Sequence, residues 1–203
     1  MKKILILLLL LISIPLVKAE ETEDLAPNAK SAIMIEASTG EILFQKNAYE
    51  KLPPASMTKM MSMLLIMEEI DKGTLKWDEQ ITASEKASSM GGSQIFLKAG
   101  EKMSVTDMLK GITIASGNDA TVAMAERIAG SEENFVKKMN TKARELGLKN
   151  TNFVNSTGLD TDNHYSSAYD MSLIAKELIK HEKILEFSST YEDYLRKDSK
   201  SPF

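Results

Sequence analysis

The alternation of hydrophobic and polar positions predicts a strand hairpin near the start of the chain, followed by a buried helix. Apolar-rich runs at residues 31–36 and 41–46 flank the turn-forming stretch Ala-Ser-Thr-Gly, which predicts two antiparallel strands. Prolines at 53 and 54 block helix, and residues 56–70 are then helix formers with five methionines. We expect these methionines to fill the core.

Helical periodicity dominates the second half of the chain. Asp119 and Ser131 are expected to be N-caps, and residues 77–102 predict loops with about one helical turn. Residues 147–167, rich in Asn, Thr, Asp and Gly, predict a long ordered loop of the kind that often carries function. Apolar residues recur at helical spacing over 104–114, 119–129, 131–146 and 167–181.

The first 19 residues have the pattern of a secretory signal. Lys2 and Lys3 precede an apolar run at residues 4–17, shorter than the roughly 20 residues that a transmembrane helix needs. Residues 20–30 are polar and predict a mobile lead-in. Residues 31–203 are predicted to form one domain, with a helical subdomain at about residues 75–180. We therefore expect an exported protein.

Charge and cysteine content exclude several classes of function. The net charge is −4, and the predicted signal carries three lysines and no acid, so −4 minus 3 leaves −7 for the mature part. An acidic chain without a basic tract is not expected to bind nucleic acid or to be drawn strongly to anionic lipid. The absence of cysteine excludes disulfides, a cysteine nucleophile and thiolate metal sites.

Ser56 and Lys59 form a Ser-x-x-Lys sequence at the start of the first predicted helix. One helical turn apart, the hydroxyl and the amine project from one side, close enough for the amine to take the hydroxyl proton. Burial, a neighbouring cation or the helix N-terminus would have to lower the pKa of the lysine from about 10.4. The alternative is an N-cap serine followed by a surface lysine.

A second polar turn, Ala-Ser-Gly-Asn-Asp-Ala at residues 115–120, lies between two predicted helices. In an acyl-transfer site, a hydroxyl and a carboxamide such as those of Ser116 and Asn118 relay a proton to the departing amine and hold the substrate's peptide group. Taken alone, these residues are better described as a helix-to-helix turn that is capped by Asn118 or Asp119.

Other catalytic and metal-binding patterns have little support. The chain has two histidines and no Gly-x-Ser-x-Gly, so a Ser-His-Asp triad is not favoured. Asp160, Asp162 and His164 alternate as in a calcium loop, but Tyr165 occupies the position that requires glycine. We expect turns and a structural histidine there, and neither a metal nor an organic cofactor.

Three blocks of sequence together resemble the serine-type D-alanyl-D-alanine carboxypeptidases among the low-molecular-weight penicillin-binding proteins. They are Pro-Pro-Ala-Ser-Met-Thr-Lys at 53–59, Ala-Ser-Gly-Asn-Asp-Ala at 115–120, and Phe-Val-Asn-Ser-Thr-Gly-Leu-Asp at 153–160 with Ser-Ala-Tyr-Asp-Met at 167–171. The resemblance implies an α+β fold of the β-lactamase/transpeptidase type. Its antiparallel sheet would be flanked by helices, and a helical subdomain would carry Ser116.

The resemblance also implies a role for each site residue. Ser56 would be the acyl-ester nucleophile and Lys59 its general base, while Ser116 would relay a proton to the leaving D-alanine and Asn118 would bind the stem peptide. The implied reaction removes the terminal D-alanine of the peptidoglycan pentapeptide at the cell wall or membrane surface. It would belong to peptidoglycan biosynthesis and so contribute to cell shape. Penicillins and other β-lactams would acylate Ser56, and no cofactor is needed.

One expected block, Lys-Thr-Gly, does not occur in the chain. In the family this lysine lies beyond the matched region, and its strand contributes to the oxyanion hole. The simplest account is a C-terminally truncated sequence without the later sheet strands, which we expect to be inactive and poorly folded alone. The sequence leaves two questions open: whether a missing C-terminal tail associates with the membrane, and what the oligomeric state is.

Three alternative functions also stay open. A D,D-endopeptidase would use the same residues. A class A-like β-lactamase needs a deacylating glutamate, and Glu145 and Asn150, five positions apart, do not fit its Glu-x-x-x-Asn spacing. A non-catalytic penicillin-sensing or cell-wall-binding module would keep the fold without turnover.

Overall fold

The computed structural model describes residues 24–196, so the predicted signal at residues 1–19 lies outside the described part. The architecture is α+β, as predicted. None of the helices in residues 24–196 combines the length and the apolar character needed to span a bilayer. The elements are β1 (Ala32–Ile35), β2 (Ile42–Lys46), a 3-10 turn (Ala55–Thr58), α1 (Lys59–Asp71), β3 (Gln80–Thr82), α2 (Glu85–Ser88), β4 (Lys102–Ser104), α3 (Val105–Ala115), α4 (Asn118–Ala129), α5 (Glu132–Glu145), α6 (Ala168–Leu178) and α7 (Glu182–Ser188).

The predicted hairpin is confirmed by the antiparallel pairing of β1 and β2. Ala32 lies opposite Lys46, and the register shifts between Met34 and Ile35. Lys46 also bonds the segment before the hairpin, because its amine lies 2.8 Å from the Asp24 carboxylate. The mobility of residues 20–30 and the division into a helical subdomain stay predictions.

Helix α1 lies in the middle of the core and packs against α3, α4, α5 and α6. Its predicted burial is confirmed, because Met61, Met63 and Met67 are all buried. A helix that is apolar around most of its circumference is stable only when it is surrounded in this way. Met57 differs from the expectation: it lies on the 3-10 turn before α1 and is 53% exposed.

Residues 77–102 are more ordered than the sequence suggested. Strands β3 and β4 pair antiparallel, with Ile81 opposite Met103, and α2 lies between them in the chain. Each strand has three residues, which is too short for alternation to distinguish a strand from a loop.

The predicted helices of the second half are present, with two corrections. Helix α4 begins at Asn118 with Gly117 as its N-cap, so the prediction of Asp119 as an N-cap was wrong. The Asp119 carboxylate instead accepts hydrogen bonds from the backbone N–H groups of Ile95 and Leu97, at 3.1 and 2.9 Å. The prediction of Ser131 as an N-cap is confirmed. The helix predicted over 167–181 ends at Leu178, and the separate helix α7 follows it.

The long loop between α5 and α6 is ordered, as predicted, and it lies against the 3-10 turn. A bridge pairs Leu52, before the turn, with Ser166 in the loop. Asn140 of α5 fixes the loop from the other side, since its side chain bonds both the N–H and the carbonyl of Phe153. The loop and the turn therefore form one surface around the start of α1.

Candidate active site

Ser56 and Lys59 meet at the junction of the 3-10 turn and α1. Ser56 is exposed on the turn, whereas Lys59, the first residue of α1, is only 2% exposed. The lysine Nζ lies 3.3 Å from the serine Oγ. The structure thus brings together the two residues that the sequence paired, with the hydroxyl facing outward and the amine behind it.

The surroundings of Lys59 favour the neutral amine. Burial lowers the pKa of Lys59 to about 8, because the charged form loses its solvation. Within residues 24–196 no carboxylate forms an ion pair with it, and its second hydrogen bond goes to the carbonyl of Thr157 at 2.8 Å. A neutral amine that donates to Thr157 can direct its lone pair at the Ser56 hydroxyl.

The loop approaches the 3-10 turn so closely that only glycine fits at 158. Gly158 has a φ of +86°, and a β-carbon there would lie 1.8 Å from the carbonyl oxygen of Ala55. Ala55 itself has a φ of +48°, in the left-handed region that costs a residue with a side chain energy. The loop therefore fixes the residue directly before Ser56.

Ser156 anchors the part of the loop that holds Lys59. It is fully buried, and its N–H and hydroxyl both donate to the Glu132 carboxylate, at 3.1 and 2.7 Å. Its carbonyl accepts a hydrogen bond from the Ser62 hydroxyl of α1 at 2.7 Å. Lys86 lies 3.0 Å from the same carboxylate. These contacts fix the adjacent Thr157 carbonyl beside the lysine.

The sequence reasoning did not single out Ser62, Glu132, Ser156 or Thr157. One signal was present for Ser62, because a serine among the methionines of a buried helix must find a hydrogen-bond partner. The other three lie far from Ser56 in the chain, and no local pattern connects them to it.

Ser116 is strained and its hydroxyl is unpaired. It ends α3 in the left-handed conformation, with φ 56° and ψ 34°. In residues 24–196 its Oγ is the one buried side-chain nitrogen or oxygen without a hydrogen-bond partner. An unsatisfied buried hydroxyl costs about 1–3 kcal/mol. Strain and an unpaired polar group at one residue are typical of functional sites.

Asn118, which follows the Ser116 turn, lies against Gly91 and Gly92. Its side-chain nitrogen donates to the carbonyl of Gly91 at 2.7 Å. A β-carbon on Gly92 would lie 2.8 Å from that nitrogen and 3.6 Å from a methyl group of Leu159. Gly92 therefore lies between Asn118 and Leu159 of the long loop.

Asp160, Asp162 and His164 alternate along the long loop. No group of three or more His, Cys, Asp or Glu residues in the described chain is arranged to hold a metal. His164 is 6% exposed, and both of its ring nitrogens have protein partners.

Known proteins resemble the chain over nearly all of its length. A model of the family described as D-alanyl-D-alanine carboxypeptidase matches residues 17–203. The chain is 62% identical over 184 residues to the D-alanyl-D-alanine carboxypeptidase DacF of Bacillus subtilis, covering 91% of this chain and 47% of that protein.

Solved structures give the same picture. Penicillin binding protein 5 from Haemophilus influenzae matches with a TM-score of 0.80 at 35% identity, over 83% of this chain and 50% of that one. The D-alanyl-D-alanine carboxypeptidase DacD from Francisella tularensis matches with a TM-score of 0.78 at 36% identity, over 84% of this chain and 44% of that one. The chain thus spans about half the length of these relatives.

Proposed function

The chain belongs to the D-alanyl-D-alanine carboxypeptidase family, and we propose on this basis that the protein containing it removes the terminal D-alanine from peptidoglycan stem peptides. The observation that carries the proposal is the buried Lys59 amine, 3.3 Å from the exposed Ser56 hydroxyl. An accessible hydroxyl beside an amine with a lowered pKa has the composition of a nucleophile and its base.

Lys59 and Ser56 carry the first step. The neutral amine of Lys59 takes the hydroxyl proton as Ser56 Oγ attacks the carbonyl carbon of the penultimate D-alanine, which forms a tetrahedral intermediate. A pKa of about 8 leaves a useful fraction of the amine neutral near pH 7.5. The helix start beside Ser56 favours the developing negative charge.

Ser116 completes the first step and Lys59 drives the second. The proton held by Lys59 passes through the Ser116 hydroxyl to the amine of the leaving D-alanine as the C–N bond breaks, which leaves an acyl-serine. Water, with Lys59 as base, then attacks the ester, releasing the shortened peptide and restoring the Ser56 hydroxyl. The unpaired state of the Ser116 Oγ supports this role, since a relay needs a hydroxyl that is free to bond.

Asn118 is proposed to hold the stem peptide. Its carboxamide carries two N–H groups and an acceptor oxygen, and the bond to Gly91 uses one N–H. The remaining groups match the N–H and carbonyl of a peptide backbone. Penicillins, which carry a strained amide, would enter the same site and acylate Ser56.

We place this activity outside the cytoplasmic membrane, in peptidoglycan biosynthesis and thus in cell shape. The support is the secretory pattern of residues 1–19 together with the substrate class. No metal or organic cofactor takes part in the proposed reaction.

Labelling and turnover of the whole protein that contains this chain test the proposal. A fluorescent penicillin should label the protein covalently, the Ser56→Ala variant should not be labelled, and Ser189→Ala, which removes an exposed serine at the end of α7, should label normally. Free D-alanine should appear from a pentapeptide. Rapid penicillin hydrolysis without D-alanine release would instead indicate a β-lactamase, and labelling without either turnover would indicate a sensor.

A further inference from the structure

Hydrogen bonds on both nitrogens fix the protonation state of His164. Its Nδ1 accepts the backbone N–H of Val154 at 3.1 Å, so this nitrogen carries no hydrogen. The ring proton is then on Nε2, which lies 2.8 Å from the Thr58 Oγ1 and donates to it. Phe153 and the His164 ring pack in a T-shaped pair, with the two centroids 5.8 Å apart. His164 is therefore a neutral ring held in one orientation.

Thr58 receives this bond at a sensitive position. It is fully buried, and it lies between Met57 and Lys59 as the last residue of the 3-10 turn. Its side chain makes no capping bond to α1, although it occupies the N-cap position. A β-carbon on Gly158 would lie 2.9 Å from its Oγ1, so the loop encloses the hydroxyl. The Thr58 hydroxyl thus connects the turn to the loop through His164.

We propose that His164 is a positioning residue for the acylation step: by bonding Val154 and Thr58 at once, it holds the turn so that Ser56 stays within reach of Lys59. This inference rests on the proposed function. The other contacts of the loop in this region use its backbone: the carbonyls of Ser156 and Thr157 accept bonds from α1, and Gly158 lies against Ala55 of the turn. The contact from His164 is different because a proton can switch it off.

Protonation of His164 would place a hydrogen on Nδ1 opposite the N–H of Val154. The acceptor is then lost and two donors face each other, so the ring must move away from Thr58 or from Val154. Burial lowers the pKa of His164 from its ordinary value of 6.5, and the charge of Asp160 on the same loop opposes that effect. The other groups that contact the ring are uncharged: Thr58 from the turn, and the aromatic ring of Phe153 from the loop.

The acid side of the pH–rate profile should therefore contain two events. As the pH falls below about 8, protonation of Lys59 slows acylation about tenfold per pH unit. At lower pH, protonation of His164 should make the decline steeper. In the His164→Gln variant, which keeps an N–H donor and a carbonyl acceptor but cannot titrate, the steeper part should disappear.

The test measures the acylation rate of the whole protein with a fluorescent penicillin between pH 5 and 9. Thr58→Val keeps the shape without the hydroxyl and should slow acylation about tenfold or more, as His164→Ala should, whereas Thr58→Ser should stay within about twofold. The double variant Thr58→Val/His164→Ala should be no slower than the slower single variant, because both remove the same contact.

Thermal melts of each variant show whether a slower acylation rate is accompanied by a loss of overall stability, as a merely structural role would require. Acylation at the wild-type rate and with the wild-type pH profile, in Thr58→Val and His164→Ala alike, would refute the inference and leave the proposed function intact, whatever the melting temperatures. A wild-type protein that no penicillin labels would refute both. Should His164→Ala not fold, the near-isosteric Thr58→Val decides the outcome.

Discussion

The Ser56 turn and the Ser116 turn each carry a predicted site residue, but the protein satisfies their polar groups to different degrees. Behind Ser56, the buried side chains of Thr58, Lys59 and Ser62 all have hydrogen-bond partners in the loop. At the Ser116 turn, a buried hydroxyl is left without a partner on a strained residue.

The difference matches the two tasks that we propose for these turns. A nucleophile and its base need a fixed distance from each other before substrate arrives, so their supports are built into the fold. A proton relay has to bond the reacting groups, and a hydroxyl that is already committed to the protein would have to give up that bond first. Changes to the residues that support the Ser56 turn should therefore affect both stability and rate, whereas changes at Ser116 should affect mainly the rate.

Removing the proposed base, Lys59, should have the largest effect on the reaction. In Lys59→Met we expect penicillin acylation to slow by about 10⁴-fold, at the upper end for a general base. Unfolding free energy should change by less than about 1 kcal/mol, because removal of a desolvated amine offsets the lost bond to Thr157. Stopped-flow or gel-based labelling measures the rate.

Lys102→Met is the matched control for that change, since Lys102 is exposed on β4. It should acylate at the wild-type rate. If Lys59→Met also stays within tenfold of wild type, the amine is not the base.

Gly158→Ala should cause the largest loss of stability, about 3 kcal/mol or more. The methyl group would collide with the Ala55 carbonyl at 1.8 Å, in addition to the cost of a φ of +86°. Gly147→Ala is the control, because its φ of +72° is similar and nothing lies within 4 Å of the new methyl group. It should lose only about 1–2 kcal/mol. Equal urea-unfolding free energies for the two variants would show that the loop does not brace the turn.

Ser116→Ala should separate rate from stability. We expect acylation to slow about 10²-fold, as for the loss of one proton-transfer group, while unfolding free energy stays equal or rises by up to about 1 kcal/mol. The rise reflects removal of an unpaired buried hydroxyl. A variant that is destabilised but acylates normally would make Ser116 a structural residue and remove the contrast between the two turns.

The sequence predicted the parts of the site that are local in the chain. Ser56 and Lys59 meet because one helical turn joins them, and the strongly periodic helices and the first hairpin were recognisable for the same reason. The three-residue strands β3 and β4 carry too little pattern to be recognised. Asp119 has the composition of an N-cap but is used to bind the backbone of residues 95 and 97 instead.

The supports behind the turn could not be predicted, because their partners are distant in the chain. The Ser62 bond spans 94 residues, the Lys59 bond 98 and the Thr58 bond 106. Composition had marked the loop as functional, but a single sequence does not say which of its residues faces which helix. His164 illustrates this. Its alternation with Asp160 and Asp162 invited comparison with a calcium loop, and nothing in the sequence indicated that its ring would bond Thr58 of the Ser56 turn.

The smallest expected effect is on the pH dependence of stability, and it reports on the Ser56 turn and not on the Ser116 turn. Burial lowers the pKa of His164 in the folded state, so the unfolded chain takes up a proton first as the pH falls below about 6.5. The contribution of neutral His164 to the free energy of unfolding is thus complete above that pH and is lost below it, by at most about 1.4 kcal/mol per pH unit.

Urea unfolding of wild type and His164→Gln at pH 7.5 and 5.5 isolates this contribution, since other groups act equally on both. A wild-type curve parallel to that of His164→Gln would mean that the ring accepts a proton without cost, and that the bond to Val154 does not hold it neutral.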